Sequence, residues 1–211
     1  GGSNQTITTA AGSSVTLNVP TSAIGTFIYN LVSVKDASST ACEQSQTGSV
    51  TVTVNPLPTA IISGTTAVCQ NATAPLVTFT GADGTAPYTF NYTINGAAAP
   101  ALTTTSGNSI TVAASTSIAG TFTYALLSVQ DASGTTCSNG AIGSAVITVN
   151  LLPTATISGT TSVCRGTSPA PNITFTGANG SEPYTFTYKV NGGADQTVTT
   201  TTGNSVSIPV S

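Results

Sequence analysis

Histidine, tryptophan and methionine are absent from this 211-residue chain, and Lys and Arg number three against six Asp and Glu. Without histidine, neither a Ser-His-Asp nor a Cys-His nucleophile can be assembled, so nothing in the sequence points to an enzyme. The cysteine spacing matches no zinc pattern, and no histidine is there to complete one. Lys35, Arg165 and Lys189 are too few cations to meet a phosphate backbone, which argues against nucleic acid as a partner. A net charge of −3 gives little field to steer any ligand. The charged fraction is 4%, where about 25% is usual for a soluble domain. Such scarcity fits a membrane protein or a disordered tract, but no apolar run approaches the roughly 20 residues that a membrane-inserted helix needs. Disorder fits no better, because Val, Ile, Phe and Tyr recur at alternate positions and supply an apolar face. The surface is therefore expected to be covered by neutral Thr, Ser, Asn, Gly and Ala.

What is present is repetition. "GTAPYTFNYTING" (84–96) returns as "GSEPYTFTYKVNG" (180–192), and "PLPTAIISGTTAVCQ" (56–70) as "LLPTATISGTTSVCR" (151–165). "GTFIYNLVSVKDASSTAC" (25–42) returns as "GTFTYALLSVQDASGTTC" (120–137). Gly12 maps to Gly107, 95 residues on, and Gly107 to Gly203, 96 residues on. A period this long exceeds that of most solenoids and matches one small β-domain. The expected organisation is the C-terminal part of one repeat (1–55), a complete repeat (56–150) and the N-terminal part of a third (151–211). The first and last 20 residues match each other, so both ends fall at the same phase, and the chain reads as an excerpt of something longer. No signal peptide is visible, as an excerpt would have it.

In the complete repeat, Pro56 and Pro58 flank Leu57 in a short stiff linker, and Pro153 marks the next one. Strands are predicted at 59–63, 76–80, 88–94, 101–105, 109–113, 121–130 and 144–150. In "YTFNYTI" (88–94) the apolar residues occupy every second position, the period of a strand packed on one side. The 121–130 strand is apolar on both faces near its middle, as a central strand is. Asn95-Gly96 signals a tight turn, no segment has helical periodicity, and Thr and Val favour strands throughout. About seven short strands in one period predict an all-β chain of immunoglobulin-like β-sandwich domains in tandem, end to end. The tryptophan usual in such cores is missing, and the aromatic strand takes its place. Tyr88, Phe90, Tyr92, Phe122, Tyr124 and Val146 are the expected core.

The four cysteines recur in phase, Cys42 with Cys137 and Cys69 with Cys164. Two per repeat suggest one disulfide per repeat and hence an oxidising compartment, the alternative being two buried free thiols per repeat. Cys42 and Cys69 are far apart along an extended path, whereas Cys69 and Cys137 lie within one repeat, where closing their loop adds about 3–4 kcal/mol. Ordinary immunoglobulin strand order opposes that pairing and favours Cys69 with the last-hairpin cysteine of the following repeat. The pairing expected here is Cys69–Cys137, with Cys42 and Cys164 equivalent but cut off from partners.

"PTATISGTTSVC", "FTGANGSEPYTFTY", "GNSVSI" and "GTFTYALLSVQDASGTTCS" together resemble the repeat domains of very large surface adhesins of the Bacteroidetes. These are exported by type IX secretion and include the mobile adhesins of gliding flavobacteria (the SprB type). The resemblance covers essentially the whole chain. It implies immunoglobulin-like modules, bacterial cell-surface display, and adhesion or gliding, and it brings no residue-level site. Its partners would be neighbouring repeats of the same polypeptide and surface polysaccharide.

Other chemistries are weak in these residues, and no cofactor is expected. Only Asp36 and Asp131 recur among the acids, in a "DAS" turn where a capping role is expected. Calcium wants six to eight oxygens and usually several carboxylates, so one repeated aspartate falls short of a metal site. A lysine crosslink would keep its lysine, yet Lys35 aligns with Gln130 and Lys189 with Thr93. Asn4, Asn71, Asn91 and Asn172 open N-x-Ser/Thr triplets, which arise readily by chance in such a composition. Two functions compete: stalk-forming spacer repeats of an adhesin filament, or weak lectin-like repeats made effective by multivalency. The second lacks an exposed aromatic platform.

Overall fold

The computed structural model describes residues 3–210, which leaves Gly1, Gly2 and Ser211 outside the described residues. Among the described residues every regular element is a strand, and no helix is long and apolar enough to cross a membrane. The first repeat contributes β1 (Gly25–Asn30), β2 (Ser33–Lys35), β3 (Glu43–Ser45) and β4 (Ser49–Val54). They form one long antiparallel hairpin, β1 on β4 and β2 on β3.

The complete repeat holds β5 (Thr59–Ser63), β6 (Thr66–Cys69), β7 (Leu76–Ala82), β8 (Thr89–Ile94), β9 (Ala97–Ala98) and β10 (Leu102–Thr103). After them come β11 (Ser109–Ala113), β12 (Gly120–Gln130), β13 (Ser138–Gly140) and β14 (Ser144–Asn150). One sheet runs β11-β7-β5. The other runs β10-β8-β12-β14-β6, with β9 added to β8 and β13 to β12. All pairs are antiparallel except β14 with β6, where a short strand switches sheets to lie parallel to the last one. Two packed sheets with this order make an immunoglobulin-like sandwich.

The core lies between the sheets. In β7, Val77 and Phe79 are wholly buried while Leu76 is exposed. Phe90 sits opposite, its ring centroid 5.8 Å from that of Phe79, with Tyr88 and Tyr92 inward beside it. Tyr124, Leu126 and Val129 come from β12, and Ala145, Ile147 and Val149 from β14. Two sequence expectations are corrected here. Val146 is not core, because the inward phase of β14 belongs to Ala145, Ile147 and Val149 and turns Val146 to the other face. Nor is β12 buried on both faces at its middle. Its register against β8 shifts between Leu126 and Ser128, and this bulge leaves Leu127 exposed and brings Val129 inward. Phe122 is half-buried at the margin of the core.

The third repeat has β15 (Thr154–Ser158), β16 (Asn172–Ala178), β17 (Thr185–Tyr188), β18 (Gln196–Thr199) and β19 (Ser205–Pro209). These rebuild the β5, β7, β8, β10 and β11 positions, and Phe175 and Phe186 bury against each other at 5.6 Å. Identical residues differ in burial between repeats, which separates the effect of packing from that of sequence. Leu126 is 3% exposed and Val129 0%, while their counterparts Leu31 and Val34 are 55% and 56% exposed on a hairpin with no facing sheet.

Candidate functional site at the repeat junction

Gly81 and Tyr88 organise the end of the sandwich where the chain comes in from the linker. The Tyr88 ring lies flat on the Gly81 backbone, where an added Cβ would stand 2.5 Å from the ring. Its hydroxyl donates to the Gly84 carbonyl at 2.7 Å and accepts the Gly84 N–H at 3.1 Å. Tyr184, Gly177 and Gly180 repeat the arrangement in the third repeat, so it is written into the period.

The loop after β12 docks on this end. Asp131 is buried and accepts the Thr85 N–H at 3.1 Å, the Ser133 hydroxyl at 2.8 Å and the Ser133 N–H at 3.3 Å. Burial pushes its carboxyl up, but these donors outweigh burial and hold it below the ordinary value. Asp36 builds the same turn in the first repeat with the Ser38 hydroxyl and N–H and the Cys42 N–H, and the Ser38 donors lower its pKa. In both copies the residue before the cysteine, Ala41 or Thr136, has φ of 47°. A β-branched residue is costly there, so the turn is held firmly by its own bonds. Both loops present a thiol, with Thr40 Oγ1 at 3.2 Å from Cys42 Sγ and Thr135 Oγ1 at 3.2 Å from Cys137 Sγ. The Thr40 hydroxyl, with that of Ser38, lowers the Cys42 pKa.

Two contacts tie the linker to this end. The Asn139 side-chain amide donates to the Pro58 carbonyl at 3.1 Å, and Pro58 is buried. Asn55, the last residue before the linker, donates from Nδ2 to Thr135 Oγ1 at 2.9 Å, joining the first repeat to the cysteine loop of the second. Pro56 is half-buried and Leu57 exposed, while Pro153 of the next linker is exposed and lies against Gly180.

The expected Cys69–Cys137 disulfide is overturned by the strand register. In the parallel pair Cys69 stands beside Asn150, where the chain leaves the sandwich. Cys137 follows Gln130, which is at the far end of β12 from Gly120, and Gly120 pairs with Val149 beside the exit. Ten residue steps of about 3.3 Å put the two ends roughly 33 Å apart, against the ~6 Å between Cα atoms that a disulfide needs. All four cysteines are free, and three of them are exposed. The signal missed in the sequence was "TAVC", which is too short for periodicity and forms a strand only through pairing with β14.

Among the described residues, no group of three or more Cys, Asp or Glu stands close enough to hold a metal. A cleft of about 840 Å³ lies at the second junction, among Asn150, Leu151, Pro153, Gly180, Ser181 and Tyr184. Its counterpart in the complete repeat is filled, since Gly84 and Thr85 are covered by Asp131 and Ala132.

No protein-family model matches the chain, and no curated protein does. Among solved structures, the chain is similar to the CARDB domain of a Pyrococcus furiosus protein. They share 19% identity, with a TM-score of 0.32 over 45% of this chain and 95% of that one. It is also similar to an adhesin described as Ca2+-stabilised and as helping an Antarctic bacterium reach out and bind ice. There the identity is 19% and the TM-score 0.45, over 88% of this chain and 48% of that one, so this chain spans about half the length of that adhesin.

Proposed function

We propose that these repeats are spacer modules of a bacterial cell-surface adhesin, extending a filament that carries binding elements away from the cell. The observation that carries this reading is where the chain enters and leaves each sandwich. β5 begins beside Ala82 and the Asp131 loop, and β14 ends at Asn150, at the opposite pole. Repeats joined pole to pole add their height, and the 11 residues of β12 set that height at roughly 36 Å per repeat. The linker bonds of Asn55 and Asn139 restrict swing at the joint. Extracellular display, type IX export and a part in gliding follow from the sequence resemblance and belong to this proposal.

Small-angle scattering on this chain and on runs lengthened by one, two and three repeats tests the reading. The maximum dimension should grow by about 35–40 Å per repeat. A radius that grows as the cube root of mass would refute it. The lectin-like alternative is read on the same proteins with a glycan array, where binding that rises with repeat number would favour it over a passive spacer.

A further inference from the structure

We propose that consecutive repeats are stapled by a disulfide between the Cys69-type cysteine of one repeat and the Cys137-type cysteine of the next. The inference requires only that complete repeats follow one another, and it stands or falls separately from the adhesin reading.

Three observations lead to it. The first is polarity: Cys69 is at the exit pole beside Asn150, with the Gln70 N–H donating to the Asn150 carbonyl at 2.8 Å, while Cys137 is at the opposite pole. In a head-to-tail run, the exit pole of one repeat faces the other pole of its neighbour. The second is the contact at the first junction. Asn55 is the first repeat's counterpart of Asn150, and its amide reaches Thr135 Oγ1 at 2.9 Å, which in turn is 3.2 Å from Cys137 Sγ. In a complete repeat the strand lying next to this asparagine carries the Cys69-type residue, about 5 Å away across the pair. A Cys69-type residue so placed stands beside the same asparagine that reaches the Cys137 loop.

The third observation is the cleft at the second junction, which borders Asn150, Gly180 and Ser181. The counterparts Gly84 and Thr85 are covered by the Asp131 loop, so this surface matches the seat that a cysteine loop takes in a complete repeat. A loop seated there presents its thiol toward Asn150, and hence toward Cys69. In such a run Cys69 would pair with the Cys137-type cysteine of the following repeat, and Cys137 with the Cys69-type cysteine of the preceding one, so no two of the four cysteines present, all free, are partners of each other. The hydroxyls of Thr40 and Ser38 on the Cys42 thiol favour the thiolate needed for exchange.

The staple forms by thiol–disulfide exchange with a small-molecule disulfide such as oxidised glutathione. One cysteine thiolate attacks a sulfur of the small disulfide and releases one small thiolate. The second cysteine thiolate attacks the protein sulfur of that mixed disulfide and releases the other. The two protein thiols are oxidised, one small disulfide is reduced to two thiols, and the two cysteine protons leave with them.

The test extends the chain so that the third sandwich is complete, by following residue 211 directly with a second copy of residues 116–150. After oxidation with glutathione disulfide, denaturation and alkylation, a combined chymotrypsin and Glu-C digest is read by mass spectrometry. A single bond between Cys69 and the appended cysteine is expected, with Cys42, Cys137 and Cys164 alkylated, and Cys69→Ser should leave every remaining thiol free. A bond of Cys164 to the appended cysteine, a Cys69–Cys137 bond, or a folded third repeat with all thiols free would overturn the proposal. If the appended segment does not fold, the unextended chain decides: Asn55→Cys treated with a short bismaleimide should be bridged to Cys137. Absence of that bridge, with both thiols reacting singly, also overturns it.

Discussion

Leu31 and Leu126 are the same residue one period apart, and truncating each to Ala separates burial from sequence position. Leu126 is 3% exposed between the sheets, whereas Leu31 is 55% exposed on a lone hairpin. Removing the buried side chain forfeits its transfer energy and leaves a cavity among tightly packed neighbours. The usual range for such a change is about 2–5 kcal/mol, with about 3 expected for a residue flanked by Tyr124 and the bulge at Leu127. For a domain of this size each kcal/mol moves the melting point by about 4–8 °C, so Leu126→Ala should lower it by roughly 12–24 °C. Leu31→Ala should stay within about 0.5 kcal/mol. The chain has no tryptophan, so melting is followed by far-UV circular dichroism and by the near-UV signal of Tyr92 and Tyr124, whose rings stack at 6.4 Å. Equal losses from the two substitutions, or less than 1 kcal/mol from Leu126→Ala, would refute the assignment of the inner face of β12.

Asp131 is held below its ordinary value of 3.8 in the fold. Its contribution is therefore complete above about pH 4–5 and is lost as pH falls through the lower folded value. Urea midpoints between pH 7 and pH 2 should fall along that window, and Asp131→Ala should cost about 3 kcal/mol at pH 7 by stranding the Thr85 and Ser133 donors. Gly81→Ala would drive a Cβ into the Tyr88 ring and should cost about 2–3 kcal/mol by forcing the ring off its seat, read as a lower urea midpoint. Val146→Ala should cost well under Ile147→Ala, which should lose about 2–4 kcal/mol in the same titration. Raising sodium chloride from 10 mM to 1 M should leave the scattering length of a lengthened run unchanged, because the junction bonds of Asn55 and Asn139 are uncharged.

The residues that repeat and alternate were legible, and those that owe their structure to a distant strand were not. "YTFNYTI" shows its inner face without help, since Tyr88, Phe90 and Tyr92 are spaced two apart and flanked by Thr and Asn. "SAVITVN" is apolar at four of its first six positions and gives no such contrast, so the phase is set by pairing with Phe122 and Tyr124 on β12 and not by pattern. β6 is the clearest case of a strand made by its neighbour. "TAVC" is a strand beside β14, while the near-identical "TSVC" (161–164) has no β14 counterpart and no strand. The junction was half legible: Pro56 and Pro58 announce a stiff linker, but the Asn55–Thr135 bond joins residues 80 apart and has no local signature.

Scarcity of charge does not leave the outer faces without cross-strand bonds, because hydroxyl pairs stand where other sheets place ion pairs. Thr89 and Thr103 face each other across β8 and β10 with their oxygens 2.9 Å apart, and Thr185 and Thr199 do the same at 3.0 Å one period later. Thr80 with Ser109 and Thr174 with Ser207 link the strands of the smaller sheets at 2.9 and 2.8 Å. Each such pair is worth about 0.2–1 kcal/mol, comparable to an exposed ion pair, but is not screened by salt. The one ion pair among the described residues, Lys189 with Asp195 at 3.4 Å, is more than half exposed on both sides and adds little. A threonine surface also keeps β-branched residues on the longer strands, so their outward positions favour the strand conformation as the inward ones do. Solvation, cross-strand bonding and local propensity are thus met by one residue type, which is why a chain with 4% charge folds as a sandwich instead of staying disordered.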